Sequence, residues 1–254
     1  APVNVLFEGK VYRDGIDLTA SQAYQFLEKN PNDWATSAPS PGDFLTAYKK
    51  AAEKGAKEIL CLVLPKKLSA TWNSARIAKE LAQKEIPDIR IEVIDSGTAA
   101  VGETLIIQRL GKAIEEGKNF EELIKMTEEL KEKIRVFLVL ESIRYIYRSG
   151  RIPEIASKIG GILPLKPILG IHQGKMSFEG AAISKEKSKE KILKILKEQF
   201  DQNFPEIGLM YINNLAEAEN FEKEIFSLFP SSKILIREFS PIFGYATGPG
   251  TLGI

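Results

Sequence analysis

Three apolar runs constrain the fold more than anything else in the chain: EILCLVL (58–64), IRIEVID (89–95) and IRVFLVL (134–140). Each is too short for an ordinary helix and rich in Ile, Val and Leu, which reads as strand. The nearly unbroken apolar character of the first and third predicts strands covered on both faces, as in parallel sheets sandwiched by helices. The segment after the first run carries Trp72, Ala75, Ala78, Leu81 and Ala82 at helical spacing. Strand, loop and helix alternate in this way through the first half of the sequence. That alternation is the pattern of βαβ units and a parallel sheet.

Local chemistry punctuates the pattern. VNVLF and KVYR turn at Glu8-Gly9 as a hairpin, and Thr19 with Gln22 makes a capping box for the helix that follows. In TSAPSPGDF (36–44), Ser40 reads as an N-cap, Pro41 as the first helical residue and Asp43 as a first-turn acid, with Gly55 as the stop. Asn119 and Glu122 cap a further helix. After residue 140 the character changes. SIRYIYRSGRIPEIASKIGG reads as helix broken at Gly150 and Pro153, and LPLKPILGIHQGKMSFEGAAI as antiparallel strands around Gln173-Gly174. A helix over 184–200, then EIGLMYINN, a helix over 215–228 and SKILIREF make a second α/β unit. We therefore expect two domains, 1–155 and 156–254, packed closely because no Pro/Ser-rich linker joins them.

Composition narrows the function. A formal net charge of +1 with 27% charged residues gives no electrostatic footprint for nucleic acid or an anionic membrane. One cysteine, Cys61, excludes an intrachain disulfide framework and reads as a buried strand residue in a cytoplasmic protein. The N-terminus carries no signal-peptide pattern and no apolar run is long enough to span a bilayer. One histidine, His172, rules out a multi-histidine metal site; it reads as an exposed strand-end residue, and no metal or cofactor is expected.

Three loops carry hydroxyls: Thr36-Ser37 to Ser40, Ser69 to Thr71, and Asp95-Ser96-Gly97-Thr98. In a parallel sheet, loops of this kind share the C-terminal edge, where helix N-termini favour an anion. Serine and threonine in such loops are more often plain caps; three together raise the case for a site. Without a glycine-rich phosphate loop or an arginine cluster, they suit one carboxylate better than a polyphosphate. Ser69 as a nucleophile lacks the GxSxG elbow and a histidine base, which leaves a serine hydrolase as the alternative reading. Asp95 is more suited to bracing loops than to meeting a second carboxylate. Arg148-Ser149-Gly150-Arg151-Ile152 is a bent basic segment, and GYATGPGTLG (244–253) a glycine-rich stretch after a strand. Both read as loops where the backbone approaches something closely, with a helix stop and a chain terminus as equally good plain readings.

Taken together, YRDGIDL (12–18), TSAPSPGDF (36–44), LSATWNSA (68–75), VIDSGTAAVG (93–102), RSGRI (148–152), LPLKPIL (163–169) and TGPGTLG (247–253) resemble the DegV family of bacterial fatty-acid-binding proteins. The motifs occur in the family's order across essentially the whole chain. The resemblance implies a three-layer α/β/α domain with a parallel sheet and a second α/β domain with a mixed sheet. It implies a long-chain fatty acid between them, its carboxylate held by Thr36, Ser37 and Ser69, with Thr71, Asp95 and Ser96 in the same loops and Arg148, Arg151, Thr247 and Gly248 at the rim. Some members present the fatty acid to a separate kinase subunit and are carriers, not catalysts; transient membrane contact fits such a role.

Four departures from the family pattern carry expectations. The family opens with a strand ending in an Asp-Ser pair, whereas this chain starts at the equivalent of the second strand, so exposed sheet edges and apolar faces are expected. The glycine of the family's LSGT is Ala70, which adds a methyl and removes a left-handed backbone option. An arginine after the hairpin corresponds to Ile183, and a histidine before TGPG to Ala246. The last two predict retained lipid binding with weakened kinase coupling.

Overall fold

The computed structural model describes residues 1–30, 33–152, 165–199 and 206–254. Its first element is the hairpin β1 (Asn4–Phe7) and β2 (Lys10–Arg13), turned by Glu8 and Gly9, both at positive φ. Helix α1 (Ala20–Lys29) starts at the Thr19–Gln22 capping box. Strand β3 (Trp34–Ser37) returns antiparallel to β1 and closes a three-stranded sheet in the order β2-β1-β3. Helix α2 (Pro41–Glu53) begins at Ser40, where the Ser40 and Asp43 side chains cap each other's backbone N–H, and Gly55 at φ 92° lies just past its end.

A three-layer unit follows. Strands β4 (Glu58–Val63) and β5 (Arg90–Asp95) pair in parallel, with Glu58 opposite Arg90 and Val63 opposite Asp95. Alternation sends β4's side chains to two different layers. Ile59, Cys61 and Val63 pack with Phe44 and Tyr48 of α2 and with Ala75, Ala78 and Ala82 of α3 (Thr71–Glu85). Leu60 and Leu62 pack with Ile106, Leu110 and Ala113 of α4 (Val101–Glu115) and Leu123 of α5 (Phe120–Lys133).

The remaining strands form a six-stranded mixed sheet: β6 (Val136–Val139), β7 (Lys166–His172), β8 (Lys175–Ala182), β9 (Glu206–Tyr211), β10 (Lys233–Glu238) and β11 (Leu252–Gly253), in the order β10-β9-β11-β6-β7-β8. β9 and β10 are parallel, β6, β7 and β8 antiparallel, and β11 runs antiparallel to both β9 and β6. Helices α7 (Lys185–Gln199) and α8 (Leu215–Leu228) pack on one face through Ile192, Leu196, Phe221 and Ile225. Short helices α6 (Ile143–Arg148) and α9 (Pro241–Thr247) contact each other near the other face.

Several sequence expectations change. β4 is half-buried instead of buried on both faces, because among the described residues it pairs with β5 alone. Its second edge opens onto a groove of about 510 Å³ walled by Phe44 and Tyr48 on one side and Glu103 and Ile107 on the other. The open edge agrees with the exposed sheet edge expected from the sequence. Cys61 is likewise half-buried, and burial pushes its thiol pKa up. His172 ends β7 as expected but is half-buried, its Nδ1 3.0 Å from the carbonyl of Ile134. β6 pairs with the strands that follow it in sequence, and the division at 155/156 falls outside the described residues, as does Pro153.

Candidate functional site

Where the three-stranded sheet, the β4–β5 unit and the six-stranded sheet meet, a cavity of about 780 Å³ opens. Its apolar wall is built by Leu64 and Leu68 after β4, Leu138 of β6, Ile146 of α6, Ile171 of β7 and Met176 of β8. Thr36, Ser37, Ser69, Ser149 and Thr247 contribute hydroxyl-bearing residues, and Lys66, Lys67 and Arg151 contribute cations. No Asp or Glu is among its described lining residues. An apolar wall with a few convergent polar groups is the usual composition of a small-molecule site.

Each hydroxyl is placed by local structure. Thr36 and Ser37 are not in a strand-to-helix loop: they lie in β3, paired with Val5 and Asn4. Strand alternation separates them, so Thr36 is half-buried and Ser37 exposed, with Asn4 Nδ2 donating to Ser37 Oγ over 3.3 Å. Thr36 Oγ1 has no hydrogen-bond partner among the described residues. Ser69 follows a turn closed by Leu68 and Ser69 N–H on the Pro65 carbonyl. Its Oγ lies 2.7 Å from Thr71 Oγ1 and accepts from Thr71 N–H, a turn that stands in for the missing cap at Ala70. Ala70 has φ −72°, so no left-handed conformation is needed there, and its methyl lies in the cavity wall. Thr247 Oγ1 is turned back onto the Phe243 carbonyl.

Asp95 braces two loops: its carboxylate accepts from Lys66 N–H at 3.0 Å and Gly97 N–H at 2.8 Å. Ser96 is fully buried and donates to the Thr98 carbonyl, and Gly174 N–H of the β7–β8 turn donates to the Gly97 carbonyl at 2.6 Å. The loop after β5 is thereby fixed against both the loop after β4 and the six-stranded sheet. Asp95, Ser96, Thr71, Arg148 and Gly248 are not among the residues lining the cavity, whereas Thr36, Ser37, Ser69, Arg151 and Thr247 are. Arg148 stacks over Tyr145 and Tyr245, and Gly248 packs its Cα against the Tyr145 ring at φ 86°. Of the two departures near the rim, Ala246 is buried in the cavity wall, while Ile183 is 80% exposed and outside it.

Sequence reasoning did not find the apolar wall; Lys66 and Lys67 were visible beside Ser69, but not their place in the cavity lining. Lys66 places its ammonium 4.0 Å from the Trp72 ring centre. Its spacing to Trp72 was visible in the sequence; that the two stack was not. The residues from β6, β7, β8 and α6 carry no local signal, because only tertiary pairing brings them to one surface.

The molecule is thus a mixed α/β protein with a hydroxyl-bearing cavity at the junction of its sheets, whose described lining holds no Asp or Glu. The family model described as "Uncharacterised protein, DegV family" matches residues 1–254, and the chain belongs to the DegV family. It is similar to a DegV domain-containing protein of Clostridium acetobutylicum, 26% identical over the whole chain and 89% of that protein. Its fold matches a DegV family protein from Thermus thermophilus whose structure concerns fatty acid binding, with TM-score 0.87 and 29% identity over 99% of this chain and 89% of that one. It also matches a stearic acid-binding protein from Eubacterium ventriosum, with TM-score 0.89 and 28% identity over 99% and 89%. No described helix is long and apolar enough to cross a membrane, and no described cluster of side chains could hold a metal ion.

Proposed function

We propose that this protein binds a long-chain fatty acid in the cavity between its two parts, 1–155 and 156–254, and acts as a cytoplasmic carrier. The observation that carries the reading is the cavity itself: apolar walls, hydroxyls at Thr36, Ser37 and Ser69, and no carboxylate among its described lining residues to repel an anionic head. Similarity to structures that hold fatty acids supports the same ligand class. Burying about 14 methylenes at about 0.8 kcal/mol each supplies about 11 kcal/mol gross, so the chain drives binding. Neutral hydrogen bonds of about 1 kcal/mol each orient the head.

The carrier role includes presentation of the carboxylate to a separate kinase subunit, by the family resemblance. Ile183 and Ala246 stand where family members carry an arginine and a histidine, so this coupling is weakened. A serine-hydrolase reading has less support. Ser69 Oγ is hydrogen-bonded within its own turn, and His172 is held by the Ile134 carbonyl.

Organic extraction of the purified protein followed by mass spectrometry tests the ligand: a stoichiometric long-chain fatty acid is expected. An empty extract, with no uptake of added fatty acid, would sink the reading. Rapid acyl-phosphate formation with a cognate kinase would overturn the weakened coupling.

A further inference from the structure

Away from the cavity lining, four charged side chains meet in one cluster. Lys185, buried at the start of α7, places its ammonium 2.5 Å from Glu217 of α8 and 3.4 Å from Glu141, which follows β6. Glu141 also accepts from Lys166 Nζ at 2.5 Å, and the same ammonium donates to the Glu141 carbonyl at 3.2 Å. Lys166 opens β7, and its own carbonyl accepts from Ser188 Oγ of α7, a fully buried residue. Two carboxylates thus face two ammoniums where β6, β7, α7 and α8 converge. Removing one member of a part-buried set leaves its partners uncompensated.

Glu141 has a special place in that set. It directly precedes Ser142, whose Oγ accepts from Arg144 N–H to cap α6. Its Cγ also lies against Gly250: a Cβ there would come within 2.7 Å of it. Gly250 belongs to the turn that leaves α9, where Thr251 Oγ1 lies 2.9 Å from the Gly248 carbonyl and 3.2 Å from that of Thr247. One side chain therefore touches the entry to α6 and the exit from α9. These two helices contact each other, with Gly248 against the Tyr145 ring. Both build the cavity wall, through Ile146 of α6 and Phe243 and Ala246 of α9.

We propose, resting on the fatty-acid reading above, that Glu141 is a positioning residue for the cavity: clamped by Lys166 and Lys185, it holds the α6–α9 wall in place and so sets how long a bound acyl chain is retained. Glu141 does not line the cavity, so it acts only through α6 and the turn after α9. A network that merely stabilised the fold would be felt throughout the molecule, not first at this wall.

The test uses the full chain as wild type, Glu141→Gln, Lys166→Gln and the two combined. Glu224→Gln is the control, since Glu224 pairs with the buried Lys189 at 3.4 Å in the same helix layer. Amide hydrogen exchange is read over 143–148 and 241–247, with α3 as the internal reference. Dissociation of a dansyl-labelled undecanoate is read by stopped flow against excess palmitate. Glu141→Gln should speed exchange in α6 and α9 relative to α3, and probe dissociation, by about tenfold each, the scale of losing a part-buried charge partner. Lys166→Gln should do the same, and the double variant should resemble either single one, because both act through one contact. Glu224→Gln should leave both readouts within about twofold. Exchange that is unchanged, or that rises equally in α3, overturns the proposal, as does a loosened wall with an unchanged dissociation rate. If Glu141→Gln fails to fold, Lys166→Gln decides by the same criteria. Should the wild type bind no probe or palmitate, the fatty-acid reading falls, and exchange alone decides whether Glu141 holds the wall.

Discussion

The β4–β5 unit and the six-stranded sheet are built from similar runs of Ile, Leu and Val, yet they reach different degrees of closure. In the six-stranded sheet every residue of β6 is buried, and the strand has partners on both sides. β4 is flanked by helices on both faces as β6 is by packed layers, but it has one described partner, and only Val63 of its six residues is buried. The difference shows that apolar composition specifies a strand's appetite for cover, while closure depends on how many neighbours the topology supplies. An open edge between α2 and α4 exposes both backbone and flanking side chains, of which Ile107 is 56% exposed.

The largest contrast should appear in paired core truncations. Phe221→Ala, in the helix layer of the six-stranded sheet and 1% exposed, should cost about 3–5 kcal/mol in denaturant unfolding. Leu60→Ala on β4 should cost less than half of that, because its side chain is already partly solvated. Equal costs would break the comparison.

A link between the regions comes next in size. The buried Tyr24 hydroxyl of α1 donates to the Phe239 carbonyl at 2.5 Å, tying the three-stranded sheet's helix to the end of β10. Tyr24→Phe leaves that acceptor without this donor and should lower stability by about 1–3 kcal/mol. An unchanged unfolding midpoint would mean the tie carries nothing.

The open groove also predicts a pH signature. Glu103 Oε1 is buried beside the groove without a hydrogen-bond partner, although the residue as a whole is half-buried. Burial, aided by Asp95, raises its pKa from 4.5 to about 7. The folded protein therefore holds a proton that the unfolded chain releases. That stabilisation is complete below about pH 4.5 and is lost as pH rises through about 7. Glu103→Gln should flatten this part of the profile and raise stability at pH 8 by on the order of 1 kcal/mol. A parallel, unflattened profile would exclude Glu103 as its source. The smallest effect is expected at Ile183: Ile183→Ala removes a side chain that is 80% exposed and should leave stability within about 0.5 kcal/mol.

What the sequence made legible follows the range of the interactions involved. The capping boxes at Thr19, Ser40 and Asn119, the Glu8-Gly9 turn and the Gln173-Gly174 turn are settled by residues within four positions of each other, and all are present. The parallel pairing of β4 and β5 was also readable, because a helix intervenes. The partners of β6 were not: a buried apolar run looks the same whether its neighbours run parallel or antiparallel. Thr36 and Ser37 read as loop residues because they lie just before the Ser40 cap; their β3 pairing with β1 reaches back more than thirty positions. The cavity wall was illegible for the same reason, as Leu138, Ile171 and Met176 meet only once the mixed sheet is formed.

β11 holds a further consequence. It is only Leu252 and Gly253, yet it bridges β9 and β6 in the middle of the six-stranded sheet. The strands on either side precede it in sequence, so during vectorial synthesis the β6–β7–β8 and β9–β10 segments emerge before the piece that joins them. Closure is then a late event of high contact order. Until it happens the nascent chain carries two β-segments with unjoined inner edges, and the cavity wall that Leu138, Ile171 and Met176 share is incomplete.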